Sequence, residues 1–392
     1  MSQDNYFEKN AIRTQTQRSD QREHSTPLYM TSSFVFDNAE QMRAMFADEV
    51  DGNIYSRFIN PTVKEFEDKM CLLEGGQDAL ATASGMAAIF NTIAALLSSG
   101  DHIVACRSLF GSTHTILSKF LPKWNITHTY VEVDQPSLWS QAIKSNTKMV
   151  LVETPTNPTL DLIDLQWLGN LCKSKDVILV VDNCFATPYI QRPIDFGADI
   201  VTHSATKYID GQGRGVGGVI VGREDLLKDI KAFCRSTGPS LSPFNAWMFS
   251  KSLETLAIRM QKHCENALEL ARWLNNFEDV LGVRYPFLES DFNYTLAKKQ
   301  MSLGGGIVTF EISGGINRGV KFLDALKMSS LTANLGDSRT IVSHPASTTH
   351  AKLSQEERLA VGIRPGLIRV SLGLENINDI KKDIENAINK SK

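Results

Sequence analysis

Val177-Ile178-Leu179-Val180-Val181-Asp182 decides how this chain folds: it has the length and composition of a buried strand and closes on a carboxylate. Working outward, similar runs recur at Ile103-Val104-Ala105, Ile126 to Val133, Met149-Val150-Leu151-Val152, Ile200-Val201-Thr202 and Val219-Ile220-Val221, with apolar helical segments between them. Such alternation implies an α/β fold, a mostly parallel sheet covered by helices, whose ligands gather at the carboxyl ends of the strands. Asp182 and the stretch Glu153-Thr154-Pro155-Thr156-Asn157-Pro158 both fall at such ends. An amphipathic segment from about Ser252 to Phe277 leads to a smaller domain. Its expected strands are Gly304 to Phe310, Arg339 to Ser343 and Leu367 to Leu372, with a terminal helix after Glu375. The resulting division is an N-terminal arm over 1–60, polar and suited to packing on a partner subunit, a large domain over 61–255 and a C-terminal domain over 256–392.

A carboxylate ending a buried strand is costly without a cationic partner, and a protonated pyridine nitrogen is one; a cap on the next turn is the other reading of Asp182. Ser204-Ala205-Thr206-Lys207 sets a lysine behind two small hydroxyl residues. An amine that carries an aldehyde cofactor needs such a phosphate-binding surface beside it, although a solvated lysine after a strand has the same look. In Ala83-Ser84-Gly85-Met86-Ala87-Ala88-Ile89 a serine and a glycine open a helical segment, which makes either an anion site or an ordinary capped N-terminus. Tyr55-Ser56-Arg57-Phe58-Ile59-Asn60-Pro61-Thr62 offers two phosphate donors, or a surface loop ending in a turn. The glycine run Gly211 to Gly218 leads into a strand rather than opening a helix, so it reads as a flexible turn and not a nucleotide loop.

In this order the motifs resemble the Cys/Met metabolism group of fold-type I (aspartate aminotransferase-like) enzymes that depend on pyridoxal 5'-phosphate (PLP). The similarity runs from Ser25-Thr26-Pro27-Leu28-Tyr29 to Arg369-Val370-Ser371-Leu372-Gly373-Leu374-Glu375. The resemblance implies PLP as cofactor, Lys207 as the catalytic lysine that carries it, and Asp182 as partner of its ring nitrogen. It implies a phosphate cradle of Ser84, Gly85, Met86, Ser204 and Thr206, with Tyr55 and Arg57 reaching the phosphate of a neighbouring subunit. Active sites would then be shared across dimers that pair into a homotetramer. Asn157 corresponds to the asparagine touching cofactor and substrate, and Ser343 and Arg369 to the residues that hold the substrate carboxylate. A planar guanidinium suits that task because it grips a carboxylate with two hydrogen bonds.

Two departures from the wider group narrow the reaction. Phe110 stands where many members stack a tyrosine on the cofactor; stacking survives, but the phenol is gone and Lys207 becomes the main proton carrier. Arg339 stands where cystathionine γ-synthases tend to carry a glutamate, and an arginine there repels the amino group of cysteine and attracts an anion. The resemblance, narrowed by these departures toward sulfide, implies γ-replacement on an O-acyl-homoserine, foremost O-succinylhomoserine, giving homocysteine for methionine biosynthesis. Arg339 is accordingly expected at the substrate. Cysteine as nucleophile, a γ- or β-lyase reaction, and a catalytically silent regulatory or scaffold protein are the alternatives.

Composition excludes more than it assigns. A formal net charge of -3 gives no reason to expect nucleic acid or membrane as partner. Met1 to Gln21 is polar, and no stretch approaches the roughly 18 apolar residues that span a bilayer, so a soluble cytoplasmic protein is expected. The six cysteines form no C-x-x-C pair and share no ligand spacing with the eight histidines; reduced thiols and no metal site are expected. Cys184 follows Asp182 closely enough to lie near the cofactor, and His203 reads as a packing or hydrogen-bonding residue.

Overall fold

The computed structural model describes residues 6–392. Seven strands build the larger sheet: β1 Asp78–Thr82, β2 His102–Cys106, β3 Thr127–Val131, β4 Thr147–Glu153, β5 Ile178–Asp182, β6 Ile200–Ser204 and β7 Gly218–Gly222. They lie in the order β1-β7-β6-β5-β4-β2-β3. Strands β2 to β6 pair in parallel, while β7 is antiparallel to both β1 and β6. The exception has a local cause. After Ser204 the chain turns through Lys207 and the glycine run and returns at Gly218, which pairs with Ser204. No helix carries it to the other end of the sheet, so β7 comes back antiparallel.

Both faces of the central strands are covered, which is why they read as continuous apolar runs. Ile93, Leu168 and Leu227 join Val104, Leu151 and Val180 in one core that takes in both faces of the central strands; Phe66, Met70 and Phe249 pack with Ala79, Val219 and Val221 in another. A second sheet contains β8 Val280–Arg284, β9 Ile307–Ile312, β10 Ser330–Leu331, β11 Ile341–Ser343 and β12 Leu367–Ser371, in the order β10-β11-β12-β9-β8. The helices Gly315–Ala325 and Ile377–Lys390 close its core, with Phe322, Ile380 and Ile384 against Phe310, Val342 and Ile368. The long helix Leu256–Leu274 joins the two bodies, giving Leu256 and Met260 to one core and Leu270 and Leu274 to the other.

Three strands lie outside the sequence expectations. β1, Asp78-Ala79-Leu80-Ala81-Thr82, is alanine-rich and carries little strand preference of its own. β8 is a partly exposed edge strand with an irregularity between Val280 and Gly282, and β10 has two residues. In the N-terminal arm, Phe7 and Ala11 are buried, and the Phe7 ring meets Tyr189 edge-on at 5.1 Å. Met30, Val35, Met42, Phe46 and Val50 are exposed.

One buried polar knot ties the helix Pro61–Glu74 to the sheet beneath the site. Glu74 Oε1 accepts from Asn183 Nδ2 at 2.9 Å and meets His203 Nε2 at 2.5 Å, while Asn183 also donates to the Gln191 carbonyl at 2.7 Å. All four residues are buried, and with Glu74 Oε2 already lacking a partner among the described residues the knot depends on the bonds that Oε1 makes. Glu74→Ala is expected to cost about 3 kcal/mol by leaving His203 and Asn183 short of a partner. An unchanged midpoint in chemical denaturation would remove the knot from the account of stability.

Candidate active site

The carboxyl ends of β4, β5 and β6 bring Glu153, Asp182 and Ser204 side by side, because parallel strands in register finish at the same edge. Asp182 Oδ1 accepts the Cys184 N–H at 3.1 Å. Desolvation by the surrounding protein pushes its carboxyl group up to about 6, with the His203 ring and that N–H opposing the shift. A cationic ring nitrogen placed against Asp182 would reverse it.

Lys207 follows in the turn after β6, and its Nζ donates to Asn334 Oδ1 at 2.6 Å. Burial holds the amine below the usual lysine range; Cys184 opposes this and the charge of Arg369 adds to it. Asn334 sits in a loop of the smaller domain whose Gly336 has φ +73 and presses on the lysine turn: a Cβ there would lie 2.6 Å from Tyr208 N. The Asn334 carbonyl accepts from Arg369 Nη2 at 3.2 Å, and Arg369 Nη1 donates to Asn157 Oδ1 at 3.0 Å. Burial lowers Arg369 to about 10. Ser343 on β11 lies opposite Arg369 on β12 in register. Among the described residues neither Arg369 Nε nor Ser343 Oγ has a hydrogen-bond partner, although both are buried. Two orphaned donors converging beside Asn157 match the needs of a bound carboxylate.

The anion cradle forms from two distant pieces of chain. Ser84 caps the helix Gly85–Leu96, its Oγ accepting the Ala87 N–H at 3.1 Å. The first-turn N–H groups of Gly85 and Met86 therefore face an incoming anion at the positive end of a helix of 12 residues. A Cβ on Gly85 would lie 2.6 Å from Ser204 Cβ, so glycine is what lets the helix start abut the end of β6. Thr206 Oγ1 accepts the Gly217 N–H at 3.2 Å, which binds the lysine turn to the glycine run. Phe110, 47% exposed, stands at the mouth, its N–H donated to Glu153 Oε2 at 2.9 Å. These residues fit PLP: a cradle for the phosphate, a carboxylate for the ring nitrogen, and an amine for the aldehyde.

Three residues expected at the site stand apart from this cluster. Arg339 closes its fork on Asp337, Nε to Oδ1 at 2.8 Å and Nη2 to Oδ2 at 2.9 Å, reaches the Gln212 carbonyl at 3.0 Å, and is 62% exposed. It clamps the loop that carries Asn334 to the glycine run. Tyr55 is exposed, and Arg57 bonds the Arg235 carbonyl and lies 4.7 Å over the Phe58 ring. Conversely, Asn334 and Glu153 hold places at the site that the sequence reading did not assign. Nothing local marks Asn334, whose contact with Lys207 spans 127 positions. Glu153 carried a signal, a carboxylate ending an apolar run as Asp182 does. The six cysteines are free thiols, with Cys184 Sγ 3.7 Å from the Ser204 carbonyl.

Residues 8–389 match the family described as Cys/Met metabolism PLP-dependent enzyme. O-succinylhomoserine sulfhydrylase of Pseudomonas aeruginosa is 47% identical over 378 residues, 96% of this chain and 94% of that protein. L-methionine gamma-lyase of Porphyromonas gingivalis is 43% identical, covering 93% of this chain and 92% of its own. Among solved structures, a provisionally named O-acetylhomoserine (thiol)-lyase of Campylobacter jejuni superposes with a TM-score of 0.93 at 33% identity, over 97% of this chain and 99% of that one. That structure holds an N'-pyridoxyl-lysine-5'-monophosphate residue. The chain belongs to the Cys/Met metabolism family of PLP-dependent enzymes, the trans-sulfuration enzymes of fold-type I.

Proposed function

We propose that the chain catalyses γ-replacement on an O-acyl-homoserine, with O-succinylhomoserine as ester and sulfide as nucleophile, giving homocysteine and succinate. The observation that carries this reading is the 47% identity to an O-succinylhomoserine sulfhydrylase across 96% of the chain. Phe110 adds chemical support, since a ring without a hydroxyl leaves the proton work to Lys207.

In this reading Ser84, Gly85, Met86, Ser204 and Thr206 hold the cofactor phosphate, and Asp182 holds its ring nitrogen. When bound, PLP supplies the sink for the electrons released at the substrate Cα. Arg369 and Ser343 take the substrate carboxylate through their orphaned donors, and Asn157 fixes its angle through Arg369. Lys207, its amine made easier to deprotonate by burial, removes the Cα proton, gives it up again to the bound substrate and cofactor, and as a neutral amine then removes a Cβ proton. Succinate leaves Cγ, sulfide adds there, and Lys207 returns the protons. Asn334 Oδ1 gives the amine a resting place between these transfers. The choice of succinyl over acetyl ester does not rest on Arg339, whose guanidinium is engaged by Asp337.

Tyr55 and Arg57 enter the same reading from the partner subunit. They sit apart from their own chain's cluster, on an arm whose Met30, Val35, Met42 and Phe46 are exposed apolar surface for a second copy to cover. Such dimers would pair into tetramers. A γ-lyase is the second reading, favoured by the 43% identity to L-methionine gamma-lyase.

Turnover of O-succinyl- and O-acetylhomoserine, each with sulfide and with cysteine, separates the readings. Succinyl ester with sulfide is expected to lead in kcat/KM by at least about tenfold. Release of a keto acid without added thiol, at a comparable rate, would move the assignment to the lyase. Asp182→Asn is expected to fold and to lose at least about a hundredfold in kcat, the size of a single electrostatic contribution in other sites; near-native turnover would refute the role of Asp182. For the shared site, inactive Arg57→Ala and Lys207→Ala chains should regain activity when mixed, because some dimers then contain one intact site. Verified subunit exchange without recovery would end the idea.

A further inference from the structure

We propose that Glu153 is a positioning residue held as a neutral carboxylic acid beside Asp182, where it anchors the Phe110 backbone and leaves Asp182 as the single negative charge under the cofactor ring. The inference rests on the family assignment and not on which ester or thiol is used.

Glu153 ends β4 as Asp182 ends β5, and the two are partners in the parallel register. Paired residues in register leave a sheet on the same face, so the two side chains start from neighbouring strands about 5 Å apart and the charge of Asp182 acts on Glu153. Glu153 is 5% exposed. The groups that face it are Asp182 from β5, the Cys106 thiol from β2, and the N–H groups of Phe110 and Asn157; Cys184 and His203 lie beyond Asp182. Among the described residues no lysine or arginine forms an ion pair with Glu153. Two carboxylates this close, away from water and without a cation between them, cannot both ionise, and the pair keeps one proton.

The surroundings decide which oxygen keeps it. Asp182 accepts the Cys184 N–H and feels the His203 ring, and it is the carboxylate placed for the cationic ring nitrogen. Glu153 receives the N–H groups of Phe110 and Asn157 but, among the described residues, no imidazole or other cationic partner. Burial, followed by the charge of Asp182, pushes it well above the usual carboxylate range, while Asp182 rises only to about 6. A neutral acid still accepts the Phe110 N–H through Oε2 and so fixes Phe110 at the start of the Gly111–Thr115 turn. An ionised Glu153 would instead share the field of the ring cation and weaken the polarity that Asp182 imposes.

Infrared spectra of the holoenzyme test the proton directly. Near neutral pH, wild type minus E153Q should show a protonated-carboxyl C=O band that shifts in deuterium oxide. E153Q, a neutral isostere that can still accept the Phe110 N–H, should stay within about threefold of wild type in kcat, less than the loss from one unpaired buried donor. E153A should lose at least about tenfold in kcat with KM little changed, the rate equivalent of that unpaired donor. Absence of the carboxyl band overturns the proposal, whether or not E153A folds. E153Q as impaired as E153A also overturns it, because the negative charge would then be what matters. Neither readout depends on the identity of the thiol, so a lyase result above would leave this test standing.

Discussion

A carboxylate at the end of a buried strand is tolerated only where something positive meets it, and Asp182 imposes that condition on everything around it. Its strand is covered on both faces, so water cannot solvate the charge from the side. What can reach it comes from the open edge of the sheet. Lys207 stands at the same edge because β6 ends there, and the helix that begins at Gly85 is brought against Ser204 by the lack of a side chain at position 85. One buried charge, one amine and one helix N-terminus thus share a cleft through strand register.

The electrostatics of that cleft are graded by burial. Lys207 and Arg369 are both drawn toward neutrality by desolvation, Arg369 only to about 10, so the guanidinium stays charged for a carboxylate while the amine becomes easier to deprotonate. In the proposed reaction their distinct chemistry would divide the labour: arginine suits binding as a fixed fork, and lysine suits moving protons because its pKa yields to burial. Asn334 holds both through one residue, its side chain taking Lys207 and its carbonyl taking Arg369. The smaller domain therefore does more than cap the larger one. It brings Arg369 and Ser343 on adjacent strands, and it presses the Gly336 turn onto the lysine turn.

Arg339 shows how position alters the meaning of a residue type. Read in sequence it is a cation next to a substrate loop, and a cation attracts anions. In the folded chain an aspartate two positions earlier satisfies its fork, and the pair becomes a clamp between the Asn334 loop and the glycine run. Its influence on the site then passes through the loop it steadies rather than through its charge.

The sequence by itself determined the architecture and pointed to most residues of the candidate cofactor site. Buried parallel strands write themselves as continuous β-branched runs, and the chemistry at their ends stands within a few residues of those runs: Asp182 after one, Lys207 after another, Ser84 and Gly85 at a helix start. The long helix Leu256–Leu274 was legible because its apolar stripe is periodic, whereas β1 and β8 were not, since an alanine-rich strand and an irregular edge strand take their form from their neighbours. Tertiary structure alone decided the rest. It set Glu153 beside Asp182, joined Asn334 to Lys207 and Arg369, and turned Arg339 toward Asp337. Register and docking between segments far apart in the chain fix the contacts of Glu153 and Asn334, while Arg339 and Asp337 are near neighbours whose pairing depends on how their loop is folded.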